Sequence, residues 1–156
     1  MTESKNGVAR MYVDTALFIY YLEHSSLFFH PAREFFRHCY QKIPLVTSAV
    51  TLEEYCTYPY ANHDMQSIEN FKTFLSGMNI SVCCVDQEIA LEAARLRARH
   101  EALKALDALH LATAIINKCK AFITNDKRLQ TLPEIQVATL EQFNSQAPAN
   151  PLVAPG

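Results

Sequence analysis

Five short apolar runs alternate with stretches of helical periodicity along this 156-residue chain, and that alternation limits the possible folds more than any other feature. The runs are Met11–Val13, Ile43–Thr47, Ile80–Val85, Ala121–Thr124 and Ile135–Ala138. None shows a clean in/out alternation. A strand with one wet face would alternate, so both faces of this sheet are expected to be covered. The expectation is an α/β chain: a three-layer α/β/α sandwich around a central, mostly parallel five-stranded sheet. In such sheets ligands bind beyond the carboxyl ends of the strands, near the point where strand order reverses.

The intervening stretches carry helix signals. Thr15–Glu23 places Leu17, Phe18, Tyr20, Tyr21 and Leu22 at spacings of three and four. His30–Tyr40 has Pro31 in its first turn, with Phe35, Phe36 and Cys39 facing in. Ser48–Tyr58 follows, with Ser48 or Thr51 as its cap and Pro59 as its stop. Residues 62–66 are expected to form a loop, and Ile68–Leu75 a short helix ending near Gly77. Asp86 caps a long helix through His100, with Ile89, Ala90, Ala93, Ala94, Leu96 and Arg97 on one buried face. Ala105–Lys118 has an apolar stripe that includes Leu106, Leu109, His110 and Thr113. Asp126–Leu129 reads as a short helical turn.

A length of 156 residues implies one domain with a real core. Residues 1–10 are expected to be loose, 11–143 to form the domain, and 144–156, rich in Pro, Ala and Asn, to be a disordered tail. Only three glycines occur, so a glycine-built phosphate loop is absent. The net charge of −2 offers no global basic field for nucleic acid, which would need a local patch. Cys39, Cys56, Cys83, Cys84 and Cys119 include no CxxC pair and read as reduced small hydrophobes. The N-terminus lacks an apolar signal core, and the longest apolar run, Ala16–Leu22, is far short of the ~20 residues of a membrane span. A cytoplasmic protein with no membrane contact is expected.

Three acids, Asp14, Glu54 and Asp126, mark the carboxyl side of this scaffold, and the position of a fourth, Asp107, is left open by the sequence. Asp14 follows the first strand and is also a natural helix cap. Glu54 lies two turns into the helix after the second strand, on the side of Val50 and Thr51. Its neighbour Glu53 points roughly 100° away, towards solvent. Asp107 opens the helix that feeds the fourth strand, and Asp126 follows that strand. Carboxylates crowded together repel one another unless protonated or bridged by a cation. Mg²⁺ or Mn²⁺ takes oxygen ligands, keeps waters and binds substrate phosphates. The pattern therefore points to metal-dependent phosphodiester hydrolysis, with surface caps and turns as the plainer explanation.

Four segments carry a resemblance. Val13-Asp14-Thr15 with its following helix, Ser48 to Glu54, Leu106 to Ala114 and Ile123 to Leu129 resemble, in order, the four motifs of PIN-domain proteins. The resemblance covers about residues 11 to 140 and is strongest to the VapC-type toxins of bacterial toxin–antitoxin pairs. It implies a three-layer fold, Mg²⁺ or Mn²⁺ held by Asp14, Glu54, Asp107 and Asp126, and cleavage of RNA by an endoribonuclease. It also implies site support from Thr124, and an antitoxin protein as partner. The family often carries Ser or Asn two residues after the first acid; here Ala16 stands there, with Thr15 as the neighbouring hydroxyl.

Other signals compete. Arg95 and His100 have the spacing of the metal-free HEPN ribonuclease motif, but that fold is all-helical. Arg95 and Arg99, four apart, form either a solvated stripe or a phosphate grip, extended by Lys104, Lys127 and Arg128. His110 reads as a core histidine with a satisfied hydrogen bond. The aromatic-rich first 40 residues read as core, as a partner groove or as a homodimer face. A PIN-like module that binds RNA or a partner protein without cutting is the alternative. A doubly wound phosphatase is disfavoured, because Asp14-Thr15-Ala16 lacks a second acid.

Overall fold

The structure, a computed structural model, describes residues 9–147. The expectations for residues 1–8 and 148–156 lie outside the described residues. The chain forms β1 (Met11–Val13), α1 (Thr15–Leu22), α2 (Phe29–Cys39), β2 (Leu45–Ser48), α3 (Ala49–Ala61), α4 (Met65–Gly77) and β3 (Ser81–Cys83). It continues through α5 (Gln87–Arg99), α6 (Ala105–Ile116), β4 (Ala121–Ile123), a 3₁₀ turn (Lys127–Thr131), β5 (Gln136–Ala138) and α7 (Leu140–Gln146).

The five strands are all parallel, in the order β3-β2-β1-β4-β5. From β1 the chain steps outward to β2 and β3, then crosses back over β1 to β4 and β5. Right-handed crossovers in opposite directions put their helices on opposite faces. Val13, Leu45 and Ile123 pack under α1, α2, α3, α4 and α7, while Tyr12, Val46 and Phe122 pack under α5 and α6. Strand residues alternate between faces, and both faces are covered, so β1 and β4 are apolar, while β2 is buried throughout with the Thr47 and Ser48 hydroxyls hydrogen-bonded inside. Each fully buried large apolar side chain, such as Phe18 or Phe122, contributes about 1.5–3 kcal/mol.

Coverage stops at the sheet edges. In β3 Ser81 and Val82 are exposed, and β5 is only half-buried. The same applies to α5: Ile89, Ala93 and Leu96 are buried, but Ala90, Ala94 and Arg97 face solvent, so its buried stripe is narrower than expected. Pro59 does not stop α3 but lies in its last turn. A proline removes only its own donation to Tyr55, and the Asn62 N–H still reaches back to Tyr58 O at 3.1 Å. The expected 62–66 loop is cut short because Asp64 caps α4, accepting from Ser67 N at 3.0 Å. In α6 the expected apolar Leu106 is exposed, and the helix ends at Ile116 as Lys118 turns left-handed with φ 54°. At the far end, α7 carries helix through Gln146, into the stretch expected to be tail. A Thr139–Gln142 capping box starts α7, and Asn144 Nδ2 donates to Pro31 O at 3.0 Å.

The switch in strand order lies between β1 and β4. Their register pairs Val13 with Ile123, so the next residues, Asp14 and Thr124, leave the sheet side by side. No helix among the described residues is long and apolar enough to cross a membrane.

Candidate active site

The four acids converge at this switch point. Asp14, Thr15, Ala16, Glu54, Thr124, Asn125, Asp107 and Asp126 wall an open cleft of about 550 Å³, with Ile19 and Tyr20 as its apolar side. Asp14 is the N-cap of α1, so the plain capping role and the cleft position hold together. Ser48 ends β2 and caps α3, accepting from Val50 N at 3.2 Å; α3 then carries Glu54 to the cleft and leaves Glu53 exposed. Asp107 sits in the first turn of α6, and Asp126 caps the 3₁₀ turn after β4.

Each carboxylate has a different environment. Asp14 Oδ1 accepts from Thr15 N at 2.8 Å, and its Oδ2 accepts from the Thr124 hydroxyl at 2.7 Å. The same hydroxyl oxygen accepts from Asp126 N at 3.1 Å, so Thr124 ties the first acid to the last. Glu54 Oε1 is held by His110 Nε2 and, at 2.8 Å, by the Thr15 hydroxyl. The His110 hydrogen bond holds the Glu54 carboxyl below the usual range, with the Thr15 bond acting the same way. Asp126 is lowered by Arg128, which grips it through Nε at 2.9 Å and Nη2 at 2.6 Å.

Asp107 is the exception. Among the described residues no hydrogen bond or ion pair reaches its carboxylate. Its pKa is raised, first by burial and then by the charges of Asp14, Asp126 and Glu54. The cleft thus contains an acid with no hydrogen-bond or ion-pair partner, beside three others.

A donor set made only of carboxylate oxygens suits a hard divalent cation. Among the described residues no three acidic, histidine or cysteine side chains converge closely enough to ligate one ion together as they stand. That spacing fits the mode in which Mg²⁺ takes one or two carboxylates and keeps several waters. Asp14, Glu54, Asp107 and Asp126 all line the cleft, and Arg128 occupies both oxygens of Asp126.

His110 is buried, as expected, and does not line the cleft, but it bonds a residue that does, Glu54. Its Nδ1 lies 2.6 Å from Tyr12 Oη and its Nε2 meets Glu54. Tyr12 and His110 are the site residues that the sequence reading missed. The available signal was spacing: His110 lies three residues after Asp107 on the same helix face, and Tyr12 two before Asp14 on the same strand face.

The basic residues divide. Lys104 and Arg128 line a smaller cavity of about 290 Å³ that shares Asp107 with the acid cleft. Arg95 pairs with Glu92 at 2.8 Å, and Arg99 stands 3.9 Å from Glu134; neither lines the cleft. Lys127 is exposed beside it. His100 is engaged by Glu134 at 2.7 Å, so the Arg95/His100 spacing makes no joint site, on a fold that is not all-helical. Burial pushes the Cys39 thiol up to about 12, and all five cysteines are free.

The model of the PIN domain family matches residues 11–135. No curated protein matches the chain. Solved structures share its fold. VapBC2 from Rickettsia felis, bound to a DNA fragment from its promoter, has a TM-score of 0.69 and 15% identity, covering 83% of this chain and 98% of that one. A toxin–antitoxin complex from Klebsiella pneumoniae has a TM-score of 0.62 and 23% identity, covering 83% and 97%. VapC20 of Mycobacterium tuberculosis, a toxin that cleaves the sarcin-ricin loop, has a TM-score of 0.61 and 15% identity, covering 81% and 98%.

Proposed function

This chain belongs to the PIN-domain family, and from that premise we propose that it is a divalent-metal-dependent endoribonuclease, the toxin of a toxin–antitoxin pair. The observation that carries the reading is the gathering of Asp14, Glu54, Asp107 and Asp126 in one cleft at the switch edge of a parallel sheet, with Asp107 lacking any hydrogen-bond or ion-pair partner. Its fold neighbours include a toxin–antitoxin complex and a toxin that cleaves the sarcin-ricin loop, which is the class of activity proposed here.

Bound Mg²⁺ or Mn²⁺ would lower the pKa of water and neutralise charge developing on the phosphate. The rest of the chemistry falls to the chain. Thr15 N and Thr124 hold Asp14 from both sides. Glu54 has Oε1 fixed by His110 and Thr15, leaving Oε2 for the cleft. Asp107, the one acid of the cleft with no hydrogen-bond partner, is assigned the proton of the attacking water. Water oxygen then bonds to phosphorus, the P–O3′ bond breaks, and the leaving oxygen takes a proton from solvent. The products carry 5′-phosphate and 3′-hydroxyl ends. Lys104, Lys127 and Arg128 are assigned to the RNA backbone. An apolar groove of about 620 Å³, walled by Leu27, Phe28, Pro31 and Leu140, adjoins the cleft at Asn125 and is assigned to the antitoxin.

The test is the Asp14→Asn variant. It should fold like the parent and lose metal-dependent cleavage, and full activity would sink the site assignment. The Arg128 fork over both oxygens of Asp126 favours a second reading, a module that binds RNA or a protein without cutting. Such a module would show no rise in melting temperature with Mn²⁺.

A further inference from the structure

We propose that Tyr12 and His110 are positioning residues, forming with Ser48 a buried hydrogen-bonded run that fixes the Glu54 carboxylate in the cleft. The consequence for metal binding rests on the function proposed above; the run itself does not.

His110 is 1% exposed and Tyr12 0%, and both have their polar atoms committed to one another. Tyr12 Oη lies 2.9 Å from Ser48 Oγ and 2.6 Å from His110 Nδ1. The other ring nitrogen, Nε2, meets Glu54 Oε1. An ionised carboxylate only accepts, so Nε2 must carry a proton. Tyr12 Oη donates to Ser48 Oγ, which also accepts the Val50 N–H at 3.2 Å, so His110 is tied through Tyr12 to the cap of α3.

The elements make this run rigid. Tyr12 is on the central strand and stacks on Phe122 at 5.1 Å and 6°. His110 projects from α6 one turn after Asp107. One oxygen of Glu54 is therefore held by the protein, and Oε2 has no protein partner among the described residues. A leucine would fill the His110 site as well but would leave Tyr12 Oη and Glu54 Oε1 each one partner short. Groups that hold a metal-binding side chain through hydrogen bonds change affinity by about 10- to 100-fold when removed.

Two measurements on the full chain test this. In ¹⁵N-histidine NMR without metal, His110 should carry its proton on Nε2, and that resonance should move in both Glu54→Gln and Tyr12→Phe. A proton on Nδ1 alone, or a resonance indifferent to Glu54→Gln, overturns the proposal. In Mn²⁺ titration, Tyr12→Phe keeps the stack on Phe122 and should weaken binding by about 10-fold. His110→Ala should weaken it at least as much. His110→Gln, whose amide can donate to Glu54, should restore most of it. Phe35→Leu loosens the core on the opposite face of the sheet without touching the run and should leave the Mn²⁺ constant unchanged. Equal Mn²⁺ binding in wild type, Tyr12→Phe and His110→Ala overturns the positioning role, as does an equal loss in Phe35→Leu. Wild-type protein that binds no Mn²⁺ refutes the nuclease reading instead, and the NMR result alone then decides the hydrogen-bonded run.

Discussion

Replacing Asp107 by Asn should stabilise the metal-free protein and destabilise the metal-loaded one relative to wild type, so the two melting curves should change order when Mn²⁺ is added. The substitution keeps the shape and removes one charge from a half-buried position with no partner. Relief of such a charge is worth on the order of 0.5–1 kcal/mol. For a chain of this size that is a rise of roughly 1–4 °C in Tm. Wild type at a Mn²⁺ concentration 100 times its dissociation constant should instead gain about 2.7 kcal/mol, or roughly 5–10 °C. The pH dependence has a definite sign. Asp107 has a folded pKa above its unfolded one, so the folded state binds more protons and wild-type stability falls as pH rises through that range. The advantage of Asp107→Asn should be present above the folded pKa of Asp107 and disappear as pH falls towards about 3.9. Scanning calorimetry of both proteins at pH 7 and pH 4, with Mn²⁺ and with EDTA, decides it. A metal-free Asp107→Asn less stable than wild type, together with an undiminished Mn²⁺ shift, would refute the claim that this carboxylate is unpaired for the sake of a cation.

Glu54 should show the opposite sign. Its pKa is lowered by His110 and Thr15, so its stabilisation is present above about pH 4.3 and is lost as pH falls through the folded value. Urea denaturation between pH 3 and 6 should show a flatter acid limb in Glu54→Gln. Thr124→Val removes a buried hydroxyl that donates to Asp14 and accepts from Asp126, and should cost about 1–3 kcal/mol in the same assay. Arg128→Ala frees both oxygens of Asp126, so Mn²⁺ should bind more tightly by calorimetry. The same change removes one cation from the RNA path. The slope of log affinity for RNA against log salt, measured in EDTA, should therefore shrink by about one.

Much of the site is legible in the sequence because its acids sit at chain-local signals. Asp14 and Asp126 each follow an apolar strand and cap what comes next, and Asp107 opens a periodic helix. Glu54 is separated from Glu53 by helical phase alone, and the structure puts only Glu54 in the cleft. What periodicity does not encode is the partner of a buried polar group. It marks His110 as core, and His110 is core, but its bonds run to Tyr12, 98 positions away, and to Glu54, 56 away. Arg128 has the charge of an RNA contact, and only coordinates reveal it folded back on Asp126. Pro59 and Asp64 mislead at an element boundary for a related reason: a helix end is decided by which carbonyls still find donors, and a proline there costs only one bond. The narrow buried stripe of α5 follows from its packing chiefly against one helix, α6, which a periodicity argument does not see.

The most direct test of the central claim is the incubation of total bacterial RNA with the purified protein in Mn²⁺, in EDTA, and with Asp107→Asn in Mn²⁺. The account predicts discrete new fragments bearing 5′-phosphate in the first lane and none in the other two. Fragments that persist in EDTA, or that Asp107→Asn still produces at the wild-type rate, would contradict it.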